Sequence, residues 1–167
     1  MVGLNKTSVI TKAGLLVALA ILLGFLKIPI TNFIEIRFGV LPVAVAGMLY
    51  GPGIGAIVGG LADLGGYIVK PTGPYFPGFT ISGVISGLIY GYILYNKKFS
   101  TLRITMSQVL NTVIVGMIVN SIWLSILYGN SFRVVFTMRF IKEIIIIPIN
   151  IVLLLGIKRV MDIRRVG

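Results

Sequence analysis

The chain has 167 residues and a formal net charge of +11, and 57% of its residues are hydrophobic while only 11% are charged. A soluble fold could not cover so much apolar surface with so few charged groups, so the composition predicts a protein that is solvated by lipid. Cysteine and histidine are absent, which excludes disulfides and thiolate chemistry and removes the commonest metal ligand and general base. We therefore expect no catalytic site, metal or cofactor, since the only carboxylates are Glu35, Asp63, Glu143 and Asp162.

Six apolar segments predict an all-α, polytopic integral membrane protein in which residues 1–167 form a single domain. The segments cover roughly residues 9–25, 39–50, 53–69, 79–95, 105–128 and 135–157. A helix needs about 20 mainly apolar residues to cross a bilayer, and the second segment is shorter than that. Because a tight Gly51-Pro52-Gly53 turn follows it, the second and third segments either span separately or form a re-entrant hairpin.

The basic residues that flank these segments predict the orientation. Those before the first segment, between the fourth and fifth, and after the sixth all lie on one side; they are Lys6, Lys12, Lys97, Lys98, Arg103, Lys158, Arg159, Arg164 and Arg165. The positive-inside rule makes that side cytoplasmic, so both termini are expected in the cytoplasm. The first apolar run has no clean small-residue cleavage site and is predicted to be a retained span.

Six further basic residues lie at or near the opposite, outer side: Lys27, Arg37, Lys70, Arg133, Arg139 and Lys142. Extension of the side chain towards lipid headgroups accounts for Lys27 and Arg133. For Arg37, Lys70 and Arg139 two interpretations stay open, the same headgroup contact or an anion-attracting basin at the outer mouth.

Two outer loops have distinctive patterns. Residues 31–38 alternate apolar and polar side chains, which predicts a short extended strap over a cavity; a plain connector in which Glu35 pairs with Arg37 is the alternative. Residues 71–80 are rich in proline, glycine and aromatic residues. Such a loop has a stiff backbone and displays ring faces, so it predicts a shaped lid for a flat ligand.

Asp63 is an ionisable residue within the outer half of the third segment, among several glycines. A charge at that depth usually faces a bundle interior or a watery cavity. It is predicted either to bind a ligand or to pair with Arg139 or Lys142. On the sixth segment Arg139 and Glu143 are four residues apart, which favours an internal salt bridge.

Other residues of the apolar segments suggest contacts with a ligand or a partner. Asn120 and Trp123 share a face of the fifth segment near the outside and offer an amide beside an indole. The first segment carries two small-xxx-small patterns, Gly14/Ala18 and Ala20/Gly24. These patterns allow close helix packing, either within the chain or against a membrane partner.

Four stretches carry a resemblance to a known family: Ile36-Arg37-Phe38-Gly39-Val40-Leu41-Pro42, Ala46-Gly47-Met48-Leu49-Tyr50-Gly51-Pro52, Ala62-Asp63-Leu64-Gly65 and Pro71-Thr72-Gly73-Pro74-Tyr75-Phe76-Pro77-Gly78-Phe79-Thr80. They resemble the folate-family S components of energy-coupling factor (ECF) vitamin transporters. The similarity covers the whole chain in length and in its six-segment layout, and it is strongest between residues 36 and 91.

The resemblance implies a six-helix protein of the bacterial cell membrane that captures a vitamin at its outer face. Its partners would be a transmembrane T component and two cytoplasmic ATPases, which alone use ATP, and toppling in the membrane would deliver the vitamin inward. The motif that docks on the T component corresponds to Gly14 and Ala18, although the family usually has alanine at the first position. The loops that form the lid correspond to residues 31–38 and 70–79.

Folate chemistry is consistent with these residues. The carboxylate of Asp63 matches the adjacent N–H groups of a pterin, the aromatic loop matches its flat ring, and the outer cations match the glutamate tail. The predicted ligand-binding residues are Arg37, Asp63, Tyr67, Lys70, Tyr75, Phe76, Pro77, Gly78, Phe79, Thr80, Asn120, Trp123 and Arg139. The predicted contacts with the T component are Gly14, Ala18, Ala20 and Gly24.

Two alternatives stay open: an S component for another vitamin, such as riboflavin or a queuosine precursor, and a non-catalytic structural membrane subunit. A membrane enzyme that acts on lipids is disfavoured by the missing histidines, cysteines and carboxylate clusters. Besides its protein partners, the chain is expected to contact membrane lipid but no nucleic acid.

Overall fold

The computed structural model describes residues 6–25, 27–31, 34–71, 74–97 and 100–166, and it describes side chains in these ranges except at 27–37 and 161–166. The elements in chain order are α1 (Lys6–Phe25), β1 (Lys27–Thr31), β2 (Ile34–Arg37), α2 (Val40–Tyr50), α3 (Pro52–Val69), α4 (Pro77–Leu94), α5 (Thr101–Asn111), a π-helical segment (Thr112–Val119), α6 (Asn120–Tyr128) and α7 (Phe132–Val166). Since α5, the π segment and α6 follow one another without a break, the six predicted helical segments are all present and the helical fold is confirmed.

Five of these segments are long and apolar enough to cross a membrane: α1, α3, α4, the continuous helix Thr101–Tyr128, and Phe132–Val160 of α7. The second segment, α2, has 11 residues and is therefore about 17 Å long at a rise of about 1.5 Å per residue. The hydrocarbon core of a bilayer is about 30 Å thick, so α2 is too short to cross it alone. The turn after α2 depends on Gly51, whose φ of 91° is a conformation that favours glycine.

The first outer loop differs in part from the predicted single strap. It contains an antiparallel hairpin in which β1 pairs with β2, with Lys27 opposite Arg37 and Ile28 opposite Ile36. The extended conformation that the alternation predicted holds for Ile34–Arg37. The prediction missed β1 (Lys27–Thr31), which lies between the first apolar segment and the alternating stretch. We refer to the end of the helix bundle that carries this hairpin, Lys70 and residues 74–76 as the hairpin end.

Glycines bring α2, α3 and α4 very close together. A Cβ atom built at Gly59 would collide with the carbonyl of Gly83, and one built at Gly87 would collide with the carbonyl of Gly55. Further along the same face of α4, a Cβ atom at Gly47 would lie 2.8 Å from the backbone nitrogen of Gly91. These three helices therefore pack backbone against backbone, as small residues permit in membranes.

Larger side chains complete the core on both sides of this glycine-packed unit. One apolar cluster joins α2 and α4 to α5 and α7; it consists of Leu41, Ala44, Met48, Tyr90, Leu94, Ile104 and Leu154. A second joins α1, α2 and α3 and consists of Ala20, Val43, Ala46 and Val58. Many large apolar side chains elsewhere are exposed, among them Ile10, Ile68, Tyr92 and Val152. Such exposure is the pattern of a helix bundle whose outer surface is covered by lipid.

Candidate ligand-binding site

A cavity of about 700 Å³ lies between α1, α3, α4, the Thr101–Tyr128 helix and α7. Lys70 and Tyr75 line it at the hairpin end, and Asn111 lines it deep in the bundle. Asn111 is 17 residues from Tyr128, the end of α6, which corresponds to a depth of about 25 Å at 1.5 Å per residue. The volume is in the range of small-molecule sites, about 300–1,000 Å³, and the depth suits an elongated ligand.

Eight of the predicted ligand-binding residues line this cavity: Asp63, Tyr67, Lys70, Tyr75, Phe76, Phe79, Asn120 and Arg139. Thr80, Gly78 and Trp123 lie directly behind the lining and hold residues of it in place, as described below. Pro77 is the first residue of α4 and is exposed. Arg37 is the last residue of β2, and its side chain lies outside the described part of the structure.

Asp63 connects α3 to the aromatic outer loop and to α4. Thr80 Oγ1 donates a hydrogen bond of 2.7 Å to Asp63 Oδ2, and Tyr75 Oη lies 3.1 Å from Thr80 Oγ1. Since the single hydroxyl proton of Thr80 points at the carboxylate, the hydroxyl of Tyr75 is the donor to Thr80. The ring of Tyr75 also packs on Tyr67, with centroids 5.1 Å apart. This chain of contacts attaches the loop to α3 at the hairpin end of the cavity.

A second set of contacts attaches the same loop to α6. The ring of Phe76 lies 5.7 Å from that of Trp123 and 6.0 Å from that of Phe79. Trp123 Nε1 donates to Ser82 Oγ at 3.2 Å, and Ser82 Oγ donates to Asn120 Oδ1 at 2.7 Å.

Gly78 provides the space for this aromatic arrangement. A Cβ atom at that position would lie 2.6 Å from the indole of Trp123 and would collide with the ring of Phe76. Asn120 and Trp123 share a face of their helix, as predicted, and Ser82 of α4 links their side chains by hydrogen bonds.

The cavity is charged as well as aromatic. Its lining contains three cationic side chains, Lys70, Arg139 and Lys142, and two carboxylates, Asp63 and Glu143. Arg139 Nη1 lies 4.0 Å from Glu143 Oε1, so the predicted salt bridge is confirmed. Pairing of this kind is expected for ionisable groups inside a membrane.

The π segment accommodates this ion pair. Arg139 Nη1 donates to the backbone carbonyl of Gly116 at 2.6 Å. A Cβ atom at Gly116 would lie 3.0 Å from the carboxylate of Glu143, so glycine leaves room for it. Single-turn π distortions are frequent at functional sites, and this one spans Thr112–Val119.

The inner end of the cavity is polar and was missed from the sequence. It is lined by Gln108, Asn111, Thr112 and Asn150. Tyr90 Oη donates to Gln108 Oε1 at 2.7 Å, and Gln108 Nε2 donates to Thr112 Oγ1 at 3.1 Å. A signal for these residues was present, because Gln108, Asn111 and Thr112 are polar and recur at helical spacing in an otherwise apolar segment.

The two small-residue pairs of α1 face different environments. Gly14 and Ala18 are exposed, whereas Ala20 is 3% exposed and Gly24 lines the cavity. A Cβ atom at Gly39 would lie 2.9 Å from the carbonyl of Ala20. The structure therefore places Ala20 and Gly24 in internal packing rather than at a partner surface, and it leaves Gly14 and Ala18 accessible.

Comparison with known proteins identifies the family. The family model for the substrate-specific component of ECF transporters matches residues 8–157. The chain is 39% identical to the folate transporter FolT of Clostridium novyi (strain NT) over 160 residues, which cover 95% of this chain and 92% of that protein. It is 30% identical to the riboflavin transporter RibU of Staphylococcus aureus (strain TCH60) over 148 residues, 83% of this chain and 78% of that protein.

A structural comparison agrees with the sequence comparison. The crystal structure of FolT bound with folic acid is similar with a TM-score of 0.82 at 31% identity, and the match covers 92% of this chain and 93% of that one. Sequence and fold thus agree over nearly the whole chain, and the protein belongs to the family of substrate-specific (S) components of ECF transporters.

Proposed function

We propose that this chain is the folate-binding S component of an ECF importer and that it binds folate in the cavity described above. The observation that carries the proposal is the agreement of fold and sequence with a folate-bound FolT over more than nine-tenths of both chains. The cavity adds support, because it is elongated, aromatic at the hairpin end and contains three cations that suit a ligand with two carboxylates.

The side chains that line the cavity then have distinct roles. Phe76 and Phe79 offer ring faces to the aromatic parts of the ligand. Lys70 and Arg139 attract its carboxylates. Asp63 has a positioning role, since it accepts the hydrogen bond of Thr80 and so holds the aromatic loop over the cavity.

In this proposal the chain has no catalytic role and ATP is used only by its partners. A T component and two ATPases supply the energy, and both termini lie in the cytoplasm of a bacterial cell. The exposed pair Gly14 and Ala18 on α1 is the proposed contact with the T component, because small residues allow close helix approach.

Fluorescence of Trp123, the only tryptophan, tests the proposal directly. Its indole packs on Phe76, which lines the cavity, so a bound ligand changes its surroundings. Folate, riboflavin, thiamine and biotin are titrated separately into detergent-purified protein, with calorimetry in parallel and a Trp123→Phe variant as the optical control. Saturable binding of folate at nanomolar to micromolar concentrations is expected. A folded protein that gives no heat and no quenching with folate would refute the proposal.

Riboflavin is the second candidate, because the chain is 30% identical to a riboflavin transporter. Riboflavin also presents a flat ring system to the aromatic loop, but it has no carboxylates for the cationic groups. Saturable binding of riboflavin in the same titration, without binding of folate, would transfer the proposal to that vitamin.

A further inference from the structure

A serine of α4 joins two residues of α6 through a short chain of hydrogen bonds. Trp123 Nε1 donates to Ser82 Oγ at 3.2 Å, and Ser82 Oγ donates to Asn120 Oδ1 at 2.7 Å. Ser82 is 5% exposed, and both Ser82 and Asn120 line the cavity. The ring of Trp123 packs on Phe76 of the aromatic loop. The chain of hydrogen bonds therefore lies in the cavity wall next to that loop.

The indole of Trp123 fixes the direction of every bond in this chain. An indole nitrogen donates a hydrogen bond and cannot accept one, so Ser82 Oγ is the acceptor towards Trp123. A hydroxyl has a single proton, and in the described part of the structure Ser82 Oγ makes no hydrogen bond besides these two. The proton of Ser82 is therefore left for Asn120, and the oxygen of the amide is the atom that can accept it.

The opposite orientation of the Asn120 amide is unfavourable for the same reason. If the amide were turned over, its NH2 group would point at Ser82 Oγ. That oxygen would then receive two donors, while its own proton would have no acceptor among the described residues. A buried polar group without its hydrogen bond is unfavourable, so the orientation with Oδ1 at Ser82 is the stable one.

With its oxygen held by Ser82, Asn120 has its NH2 group left for the cavity. The side chain lines the cavity and is only partly buried, and among the described residues its Nδ2 atom has no hydrogen-bond partner. Nδ2 is also not one of the described side-chain atoms that are buried without a partner, so it is accessible from the cavity. Because an NH2 group donates but does not accept, this point of the wall favours ligands that present an acceptor.

We propose that Ser82 is a positioning residue for ligand recognition. With Trp123 as its donor, it holds the Asn120 amide so that the NH2 group donates to an acceptor atom of the ligand, a carbonyl oxygen, a ring nitrogen or a carboxylate oxygen. The inference rests on the proposed folate function, since folate carries all three kinds of acceptor. Without Ser82 the amide can turn its oxygen to the cavity, and that oxygen repels such an acceptor.

The experiment is a double-variant cycle with Ser82→Ala, Asn120→Ala and the protein that carries both substitutions. Calorimetric titration with folate in detergent gives the Kd of each variant and of the parent protein. Ser107→Ala is the matched control. The hydroxyl of Ser107 is also buried and hydrogen-bonded, to the carbonyl of Ile104 at 2.8 Å, but Ser107 does not line the cavity.

Asn120→Ala is expected to bind folate about tenfold more weakly than the parent, and Ser82→Ala about fivefold more weakly. In the Asn120→Ala background, Ser82→Ala should change the Kd by less than about twofold, because the amide through which Ser82 acts is gone. A serine with a merely structural role would weaken binding by the same factor in both backgrounds. Ser107→Ala should bind folate as the parent does.

The single tryptophan gives a second readout, because the protein has one indole N–H resonance in a proton–nitrogen correlation spectrum. Ser82→Ala removes the acceptor of the indole and should move this resonance. Asn120→Ala leaves the bond between Trp123 and Ser82 in place and should move it much less.

Equal losses in the two backgrounds, or an indole resonance that Ser82→Ala does not move, would overturn the inference and leave the proposed function intact. A folded parent that does not bind folate overturns both. If Ser82→Ala does not fold, Trp123→Phe takes its place in the cycle, since phenylalanine keeps a ring beside Phe76 but lacks the indole donor. Its effect on the folate Kd should then be at least about twofold smaller in the Asn120→Ala background, and an equal effect would overturn the inference.

Discussion

The packing of α3 on α4 can be tested by adding one methyl group at Gly87. In Gly87→Ala the new Cβ atom collides with the carbonyl of Gly55, and it is also 2.5 Å from the backbone nitrogen of Ala56. Backbone atoms cannot rotate away as a side chain does, so α3 and α4 have to separate by more than about 1 Å to restore ordinary contact distances of about 3.5 Å.

The magnitude follows from this separation. Overpacking of a tight core costs about 1–3 kcal/mol, and the contact with backbone atoms places Gly87→Ala at the upper end. A loss of about 3 kcal/mol lowers the melting temperature of a chain of this size by about 6–12 °C. Separation of the two helices also stretches the 2.7 Å hydrogen bond between Thr80 and Asp63, so folate affinity should fall as well.

Thermal unfolding in detergent, followed by circular dichroism, measures the effect. Gly156→Ala is the matched control, because Gly156 lies within α7, is exposed and has nothing within 4 Å of a built Cβ atom. There the better helix propensity of alanine stabilises by about 0.5–1 kcal/mol. The two substitutions are thus expected to shift the melting temperature in opposite directions. A Gly87→Ala protein that melts within about 2 °C of the parent would refute the packing argument.

Three further predictions concern the site and its partner. Thr80→Val removes two hydrogen bonds of the aromatic loop and should weaken folate binding about tenfold, mainly because folate dissociates faster. Stopped-flow fluorescence quenching measures the dissociation rate, and the control Thr11→Val, on the exposed face of α1, should leave it unchanged. Arg139→Met leaves Glu143 without its 4.0 Å partner and should lower stability by about 2–3 kcal/mol in thermal unfolding, with recovery in the double variant that also carries Glu143→Leu. Gly14→Leu should leave folate binding unchanged but abolish co-purification with a T component.

Each of these predictions has an outcome that contradicts it. An unchanged dissociation rate in Thr80→Val would mean that the loop is held by its aromatic contacts alone. A fully stable Arg139→Met protein would show that the ion pair with Glu143 contributes nothing to the fold. Intact co-purification of Gly14→Leu would exclude the exposed face of α1 as the partner contact.

The sequence predicts the helices well because long apolar runs and their basic flanks reflect the bilayer directly. It also predicts the pair Arg139 and Glu143, since a spacing of four places both on one helical face. The sequence does not show which of the two small-residue pairs of α1 packs inside the bundle. Gly14 and Ala20 are six residues apart, or about 240° around a helix with 3.6 residues per turn, and only packing against Gly39 shows which face is internal.

The parts of the site that the sequence does not predict depend on contacts between distant segments. Thr80 reaches Asp63 only because glycines bring α3 and α4 together, and the composition of each helix alone does not reveal that approach. The π segment has the same apolar composition as an ordinary helix. That Asn111 and Asn150 line the same cavity depends on how α5 and α7 pack.

The cavity separates two parts of the bundle that differ in how they are stabilised. On one side α2, α3 and α4 pack backbone against backbone, and their positions depend on glycines that admit no side chain. On the other side the Thr101–Tyr128 helix and α7 contain a π distortion, an ion pair and, at Asn111 and Asn150, amide oxygens that make no hydrogen bond in the described part of the structure. Functional sites commonly contain such locally unfavourable features, with stability supplied by the rest of the fold. Because folate would contact both parts, its binding should stabilise the polar side more than the glycine-packed side, and hydrogen exchange should slow chiefly in α5, the π segment and α7.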